Sequence, residues 1–222
     1  MRFGHVCVAV ATILFVPQIS RAGMIAESTF NTNLDGWTSN TPSQISWSKT
    51  GGNPGGFVLF EDETGDWTVL DAPAKFLGNY SALNNFGTIS FDHKIIAETG
   101  IQSLSPYEID LSGPGGSATW TGATPKGVTG WLTLNVPLVQ SDWTINSGTW
   151  TGLLADVTQL QIPIELVTND AIPGDTDHEG IDNVILSSSA PEPASFALLS
   201  LGIAGLGGLA FRPRNATNSK FA

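Results

Sequence analysis

Short runs of alternating apolar and polar residues, separated by clusters of turn-forming residues, constrain the fold more than any other feature. Alternation with a period of two is typical of strands that bury one face. The separating clusters at 51–56, 113–116 and 173–175 are rich in Gly, Pro, Asn and Asp, which end strands and form turns. We therefore predict an all-β fold, an antiparallel sandwich or barrel, with one short helix at Thr151–Val157. The predicted strands are Ile45–Trp47, Phe57–Phe60, Thr88–Phe91, Tyr107–Leu111, Trp131–Val136, Leu160–Val167 and Ile181–Leu186.

The first 22 residues have the pattern of a secretory signal peptide. Arg2 precedes an apolar run, Val6–Val16, and the small residues Ser20 and Ala22 occupy the two positions that signal peptidase inspects. We predict cleavage after Ala22, with a cut after Ala26 as the alternative. Cys7, the one cysteine of the chain, lies inside this signal, so the exported protein has no disulfide.

An uncharged apolar stretch, Ala194–Phe211, lies near the other end of the chain. Its length is at the lower edge of the ~17–25 residues that cross a bilayer core. Its four glycines weaken a soluble helix but are tolerated in a membrane helix. Because arginines follow the stretch directly, the positive-inside rule places residues 215–222 in the cytoplasm.

The residues around this stretch resemble the PEP-CTERM sorting signal of Gram-negative bacteria, over 191–214. The resemblance is carried by Pro191, Glu192 and Pro193, then the predicted transmembrane helix 194–211, then Arg212 and Arg214. It implies that an exosortase recognises the tail while it sits transiently in the inner membrane. Processing would then deliver the protein to the outer envelope or the extracellular matrix. An ordinary C-terminal membrane anchor is the alternative.

The segment between the two signals is strongly acidic. Residues 23–190 contain four lysines, no arginine and nineteen acidic residues, so the formal charge is 4 − 19 = −15. Such a charge repels nucleic acid and anionic lipid surfaces, so we expect neither as a partner. It is compatible with divalent cations, which bind carboxylate oxygens, and equally with acidity that only keeps a secreted protein soluble.

Residues 23–186 resemble the laminin B (laminin domain IV) module, and 187–190 form a short linker to the tail. The resemblance implies a jelly-roll-type β-sandwich similar to carbohydrate-binding modules, with no catalytic machinery. It rests on six blocks in the same order: Gly36-Trp37; Gly51–Gly56 with Asp62; Ala72–Asn79; Ile89–Asp92; Val136–Leu138 before Trp143; and Gly180–Val184.

One acidic loop, Asp175–Gly180, matches the first half of a calcium-binding loop. The second half does not match, because Leu186 occupies the position of the bidentate Glu, and this argues against an EF-hand. The resemblance to carbohydrate-binding modules implies a looser structural calcium between the first and last strands. Its predicted ligands are Glu27, Asn31 and Asp182; the alternative for Asp182 is a turn cap without metal.

Seven tryptophans suggest sugar binding, because a flat indole face stacks on the apolar face of a pyranose ring. We expect most of them in the core, including Trp131 and Trp143. Trp120 and Trp150 lie beside Thr and Gly on turn-rich segments, and we predict these two as exposed glycan-stacking residues.

Catalysis has little to build on in this segment. It lacks cysteine, and its two histidines are His93, predicted as a strand residue with satisfied nitrogens, and His178 in the acidic loop. We therefore predict no catalytic residue and an exported, non-catalytic glycan-binding or adhesion protein of the envelope or exopolysaccharide matrix. The alternatives are a polysaccharide-acting enzyme that uses carboxylates at 61–66 and 175–182, and a purely structural surface protein.

Overall fold

The computed structural model describes residues 23–62, 67–97, 103–126, 130–168 and 177–189, and these residues form two large antiparallel β-sheets. The predicted signal peptide, apolar tail helix and cytoplasmic tail lie outside the described residues. In chain order the elements are β1 (Gly23–Ser28), β2 (Thr38–Ser39), β3 (Ile45–Gly52), β4 (Gly55–Glu61), β5 (Val69–Asp71), β6 (Gly87–Ala97), β7 (Ser103–Leu104), β8 (Glu108–Gly113), β9 (Gly116–Thr121), β10 (Leu132–Pro137), β11 (Trp143–Gly148), α1 (Trp150–Ala155), β12 (Gln159–Pro163), β13 (Val167–Thr168) and β14 (His178–Ser188).

The first sheet is built around the last strand. Its order is β10-β6-β14-β4-β3, and β1 also pairs with β14. One edge of β14 pairs with β6, whereas the other edge is shared: His178–Ile181 pairs with β4 and Val184–Ser188 pairs with β1. The first and last described strands are therefore neighbours in one sheet.

The second sheet consists of strands from the middle of the chain. Its order is β11-β9-β8-β12-β5-β2, and β7 and β13 form a separate two-stranded pair. Helix α1 begins at an N-cap, Thr149, whose hydroxyl accepts a hydrogen bond from Gly152 N at 3.1 Å. Trp150, Leu153 and Leu154 of this helix are buried.

The hydrophobic core lies between the two sheets, because alternate residues of each strand point inward. Full burial of each aliphatic or aromatic side chain contributes about 1.5–3 kcal/mol. The inward residues include Val58, Phe60, Ile89 and Phe91 from the first sheet, and Leu70, Ile109, Leu111, Leu160 and Ile162 from the second.

The predicted antiparallel sandwich of jelly-roll type is confirmed, with two local corrections. The predicted strand Leu160–Val167 is interrupted, because β12 ends at Pro163 and β13 begins at Val167. The last strand continues through Ser187 and Ser188, which we had assigned to a linker. Both serines are held by pairing with β1 and β6.

Candidate functional site

A row of polar side chains crosses all six strands of the second sheet on its outer face. The residues lie opposite one another in register, and none of them is buried. A parallel row lies one pleat along. We call these ten residues the polar face: Thr38, Asp71, Gln161, Asp110, Thr119 and Thr144 in the first row, and Gln159, Ser112, Ser117 and Ser147 in the second.

Eight of the ten side chains of the polar face hydrogen-bond to another member of it. Asp71 Oδ1 accepts hydrogen bonds from Gln161 Nε2 at 2.9 Å and from Gln159 Nε2 at 3.1 Å. Asp110 Oδ1 accepts a hydrogen bond from the Thr119 hydroxyl. Within the described residues, Oδ2 of each of these two carboxylates accepts no hydrogen bond. The polar face therefore presents fixed acceptors to solvent.

Neither a cation nor an aromatic ring belongs to the polar face. Its charge comes from Asp71 and Asp110, and Glu108 lies two residues before Asp110 on β8. Partial burial, with the neighbouring Asp110 charge as the smaller cause, raises the pKa of Glu108. Hydroxyl, amide and carboxylate groups in such an array can pair with neutral polyhydroxyl ligands, which both donate and accept hydrogen bonds.

Two carboxylates, Asp92 and Asp182, lie opposite each other on the outer side of the first sheet, and both are buried. Asp182 accepts hydrogen bonds from the backbone N–H groups of Asn53 at 2.6 Å and Asn183 at 2.7 Å. Asp92 accepts hydrogen bonds from the side-chain amides of Asn53 at 3.0 Å and Asn183 at 2.8 Å, and from the Thr133 hydroxyl. Burial, opposed by the two backbone hydrogen bonds and increased by the Asp92 charge, raises the pKa of Asp182.

An aromatic pair covers another part of the same outer side. Trp131 packs edge-on against Phe57 with ring centroids 5.4 Å apart, and its indole N–H donates to Gly51 O at 3.0 Å. The pair lies directly over Gly180, where a Cβ would approach both rings to 2.9 Å. Lys94 Nζ lies 5.9 Å from the Trp131 ring. The inward position that we predicted for Trp131 is therefore wrong, because the ring lies on the outer face and shields Phe57.

The structure places the two predicted stacking residues differently from each other. Trp150 is 2% exposed, packs against Trp143 at 5.5 Å and donates to Asn84 Oδ1 at 2.9 Å, so its predicted exposure is wrong. Trp120 lies on β9 opposite Trp143 and is half-buried against the core. It points to the side of the second sheet opposite the polar face, and its stacking role stays a prediction. The inward position of Trp143 is confirmed.

Two of the three predicted calcium ligands lie against one hairpin turn. The turn joins β3 to β4, and a Cβ would lie 2.7 Å from Asp182 Oδ2 at Gly52 and 2.1 Å from Asn31 Oδ1 at Gly55. These amide and carboxylate oxygens suit calcium. Glu27 is exposed on β1. Among the described residues, no group of three or more His, Cys, Asp or Glu side chains is arranged to hold a metal.

The two acidic stretches meet where β4 ends and β14 begins. Glu61 lies opposite His178, with Oε1 3.7 Å from Nε2, and Asp62 N donates to Asp177 O at 3.0 Å. Residues 63–66 and 169–176 lie outside the described ranges. Asp177 is buried, so sequence proximity did not reveal which of these carboxylates face solvent.

A buried polar network behind this junction was missed by sequence reasoning. Glu179 Oε2 lies 2.7 Å from His93 Nε2, and its Oε1 accepts hydrogen bonds from Leu166 N at 2.7 Å and Val167 N at 2.9 Å. His93 Nδ1 lies 3.0 Å from the Tyr107 hydroxyl, which confirms that both ring nitrogens are satisfied. Burial, followed by the Glu179 charge, raises the pKa of Tyr107 to about 12.

Glu165 lies in the same buried region and accepts a hydrogen bond from Thr68 N at 2.8 Å. Burial raises the pKa of Glu165 to about 7, and the nearby charges of Asp62, Glu179 and Asp177 act in the same direction. The Thr68 hydrogen bond opposes the shift. Glu165 was not singled out from the sequence, because its apolar flanking residues give no sign of three distant carboxylates.

The sorting residues Pro191, Glu192, Pro193, Arg212 and Arg214 lie outside the described residues. In the part of the chain that the structure describes, no helix is long and apolar enough to cross a membrane. The sequence of residues 189–215 matches the PEP-CTERM protein-sorting motif. This match confirms the predicted sorting signal and marks the chain as an exported, membrane-anchored precursor.

Solved structures share the fold of the described domain at low sequence identity. The L4b domain of human laminin alpha-2 matches with a TM-score of 0.56 and 11% identity, over 76% of this chain and 100% of that domain. An exo-beta-agarase matches with a TM-score of 0.51 and 12% identity, over 77% of this chain but 26% of the agarase. The carbohydrate-binding module CtCBM11 matches with a TM-score of 0.49 and 18% identity, over 78% of this chain and 100% of that module. No curated protein sequence matches the chain. The laminin-B-like module that we predicted is thus confirmed at the level of the fold.

Proposed function

We propose that the domain is a non-catalytic glycan-binding module of an exported protein, and that the polar face is its binding surface. The observation that carries this proposal is the row of polar side chains across all six strands of the second sheet. With strands ~4.8 Å apart, the row is roughly 24 Å long. A row of this length suits an extended polysaccharide chain better than a small molecule.

The hydrogen bonds within the polar face support binding because they fix the side chains before a ligand arrives. A ligand therefore orders fewer rotamers when it binds, which lowers the entropic cost of association. The unused oxygens of Asp71 and Asp110 accept from sugar hydroxyls, and the amide oxygen of Gln161 does the same. Because no indole belongs to the polar face, we expect weak binding per site that repeated sites along a polymer strengthen.

Retention on polysaccharides of the native matrix tests this function. Residues 22–190 form a compact unit, so this fragment is the natural probe for affinity electrophoresis. Gln161→Ala should weaken retention roughly tenfold, since it removes a positioned amide and one of the two hydrogen bonds that hold Asp71. Asn135→Ala, an exposed amide on β10 of the first sheet, is the matched control and should leave retention unchanged. Equal effects of the two variants, or no retention of the unsubstituted fragment, would contradict the proposal.

We further propose that Asn31 and Asp182 contribute oxygens to a structural calcium at the β3–β4 turn. Support comes from the position of both oxygens against Gly52 and Gly55. A bound calcium would offset the repulsion between Asp92 and Asp182 and tie the first strands to the last one. Its contribution would be to stability rather than to sugar contact, since the turn belongs to the first sheet.

A second candidate function, hydrolysis of polysaccharide, is favoured by one observation. Burial raises the pKa of Glu165 to about 7, so roughly half of this carboxyl keeps a proton at neutral pH, as a general acid requires, and it lies near the charges of Asp62 and Asp177 in the two acidic stretches. Turnover of matrix polysaccharide that disappears in Glu165→Gln, with retention on the polymer intact, would favour the enzyme. If the fragment is retained on the polymer but does not turn it over, the result would favour the non-catalytic binding module.

The later fate of the precursor is also a proposal. We infer that an exosortase processes the tail and that the domain then resides in the outer envelope or extracellular matrix. Deletion of the exosortase gene should leave the uncleaved, heavier form in the inner-membrane fraction. Identical mass and location with and without the exosortase would favour an ordinary anchor.

A further inference from the structure

Three of the five large apolar side chains exposed in the described residues lie at one corner of the first sheet. Met24 and Ile25 are 59% and 51% exposed on β1, and Phe86 is 47% exposed just before β6. Trp67 and Leu132 are the other two. Scattered apolar residues are normal on a protein surface, but a local concentration indicates a contact surface.

The register of the first sheet brings these three residues together. Ser188 of β14 pairs with Gly23 of β1 on one edge and with Gly87 of β6 on the other. Met24 follows Gly23, and Phe86 precedes Gly87, so the apolar residues flank the end of β14 across two strand spacings, about 10 Å. Ser189 fixes the position of Phe86, because its N–H and hydroxyl both donate to Phe86 O, at 2.7 and 3.0 Å.

The chain leaves the domain at this same corner. Ser189 is the last described residue, and the match to the sorting motif begins there. Four residues separate Ser189 from the apolar stretch that begins at Ala194, and five chain steps span at most ~18 Å. In an anchored precursor this linker keeps Ser189, and the corner beside it, within about that distance of the bilayer.

We propose that Met24, Ile25 and Phe86 form a membrane-contact corner that inserts into the interfacial region of a bilayer while the precursor is anchored. The lipid it fits is zwitterionic, because the segment 23–190 carries a formal charge of −15 and is repelled by anionic head groups. Insertion orients the domain on the membrane during processing. The contact ends once the tail is removed, since three side chains are too few to anchor a protein by themselves.

The experiment uses residues 23–222, the chain that remains after the predicted cleavage of the signal peptide, in phosphatidylcholine nanodiscs with one chain per disc. These residues contain no cysteine, so a nitroxide is attached through Phe86→Cys, and in a second sample through Leu132→Cys. Leu132 is the matched control, because it is 48% exposed but pairs with His93, six residues along β6 from Gly87, about 20 Å away.

Collision of the nitroxide with oxygen, which concentrates in lipid, and with a water-soluble nickel complex reports its environment. We expect the oxygen-to-nickel collision ratio to be roughly tenfold higher at position 86 than at 132, since the charged complex is excluded from the apolar phase. Equal ratios at the two positions would overturn the proposal. Shielding of position 86 from both reagents would also overturn it, because protein rather than lipid would then cover the corner. Polysaccharide retention is scored separately on the fragment and does not depend on this result.

Discussion

The outer faces of the two sheets use the same residue types in opposite ways. On the second sheet, Asp71 and Asp110 are half-exposed, and each keeps one oxygen without a hydrogen bond among the described residues. On the first sheet, Asp92 and Asp182 are 4% and 0% exposed and are held by amides of Asn53 and Asn183. The difference comes from what covers each sheet: the β3–β4 turn and Trp131 cover the first. Alternation along a strand therefore places a carboxylate on the outer face of a sheet. Whether other residues cover that carboxylate determines if it can bind a ligand or only stabilises the fold.

The largest loss of stability should come from removing a buried carboxylate on the outer side of the first sheet. Asp182→Ala removes a buried carboxylate and takes the charged acceptor away from the backbone N–H groups of Asn53 and Asn183, which costs about 2–4 kcal/mol of unfolding free energy. Asp71→Ala on the polar face loses contacts to two solvent-accessible amides and should cost less than about 1 kcal/mol. Urea denaturation measures both. Equal losses would break the contrast between the two faces.

Calcium should stabilise the domain through ligands on the first sheet and not through the polar face of the second. If Asn31 and Asp182 hold the ion, calcium at 100 times its Kd adds about 2.7 kcal/mol. The melting temperature should then fall on chelation, and Asp182→Asn should abolish that fall whereas Asp71→Asn should retain it. If chelation leaves the melting temperature of the unsubstituted domain unchanged, the calcium proposal is contradicted.

A pH profile distinguishes the buried carboxyl Glu165 from the exposed ones. Its pKa rises from an ordinary value of 4.5 to about 7 in the folded protein, so folding favours its protonated form. The associated stability is fully present below about pH 4.5 and is lost as the pH rises through about 7, by roughly 1–3 kcal/mol. Glu165→Gln keeps an acceptor for Thr68 N and should remove this loss. Midpoints of urea denaturation at pH 5 and pH 8 measure this loss of stability. A loss of the same size in Glu165→Gln would contradict the raised pKa of Glu165.

The smallest effect should come from the cation over the aromatic cover. Lys94→Met removes the charge 5.9 Å from the Trp131 ring and should cost no more than about 0.5–1 kcal/mol, since the site is partly exposed. Lys49→Met, an exposed lysine on β3, serves as the control and should be neutral. A larger loss than for Asp182→Ala would mean that charge, rather than apolar packing and buried hydrogen bonds, holds the cover in place.

Alternation and turn residues were enough to predict strands such as Tyr107–Leu111, because each strand records locally which side chains it buries. The positions of the tryptophans were harder to predict, because residues distant in the sequence determine whether a large ring is buried. Trp150, beside Thr and Gly, is covered by Trp143 and Asn84. Trp131 has alternating apolar neighbours but leaves the core, because the missing side chain of Gly180 makes room for it outside.

The sequence by itself determined the fold class and the sorting signal, since strand periodicity and the signal are both written in consecutive residues. Only the tertiary structure decided which carboxylates are open and which are sealed. Asn53 and Asp182, whose contact seals the first sheet, are 129 residues apart, and Thr38 and Thr144 at the ends of the polar row come from opposite parts of the chain. Strand order and register bring such residues together, and no local pattern encodes them.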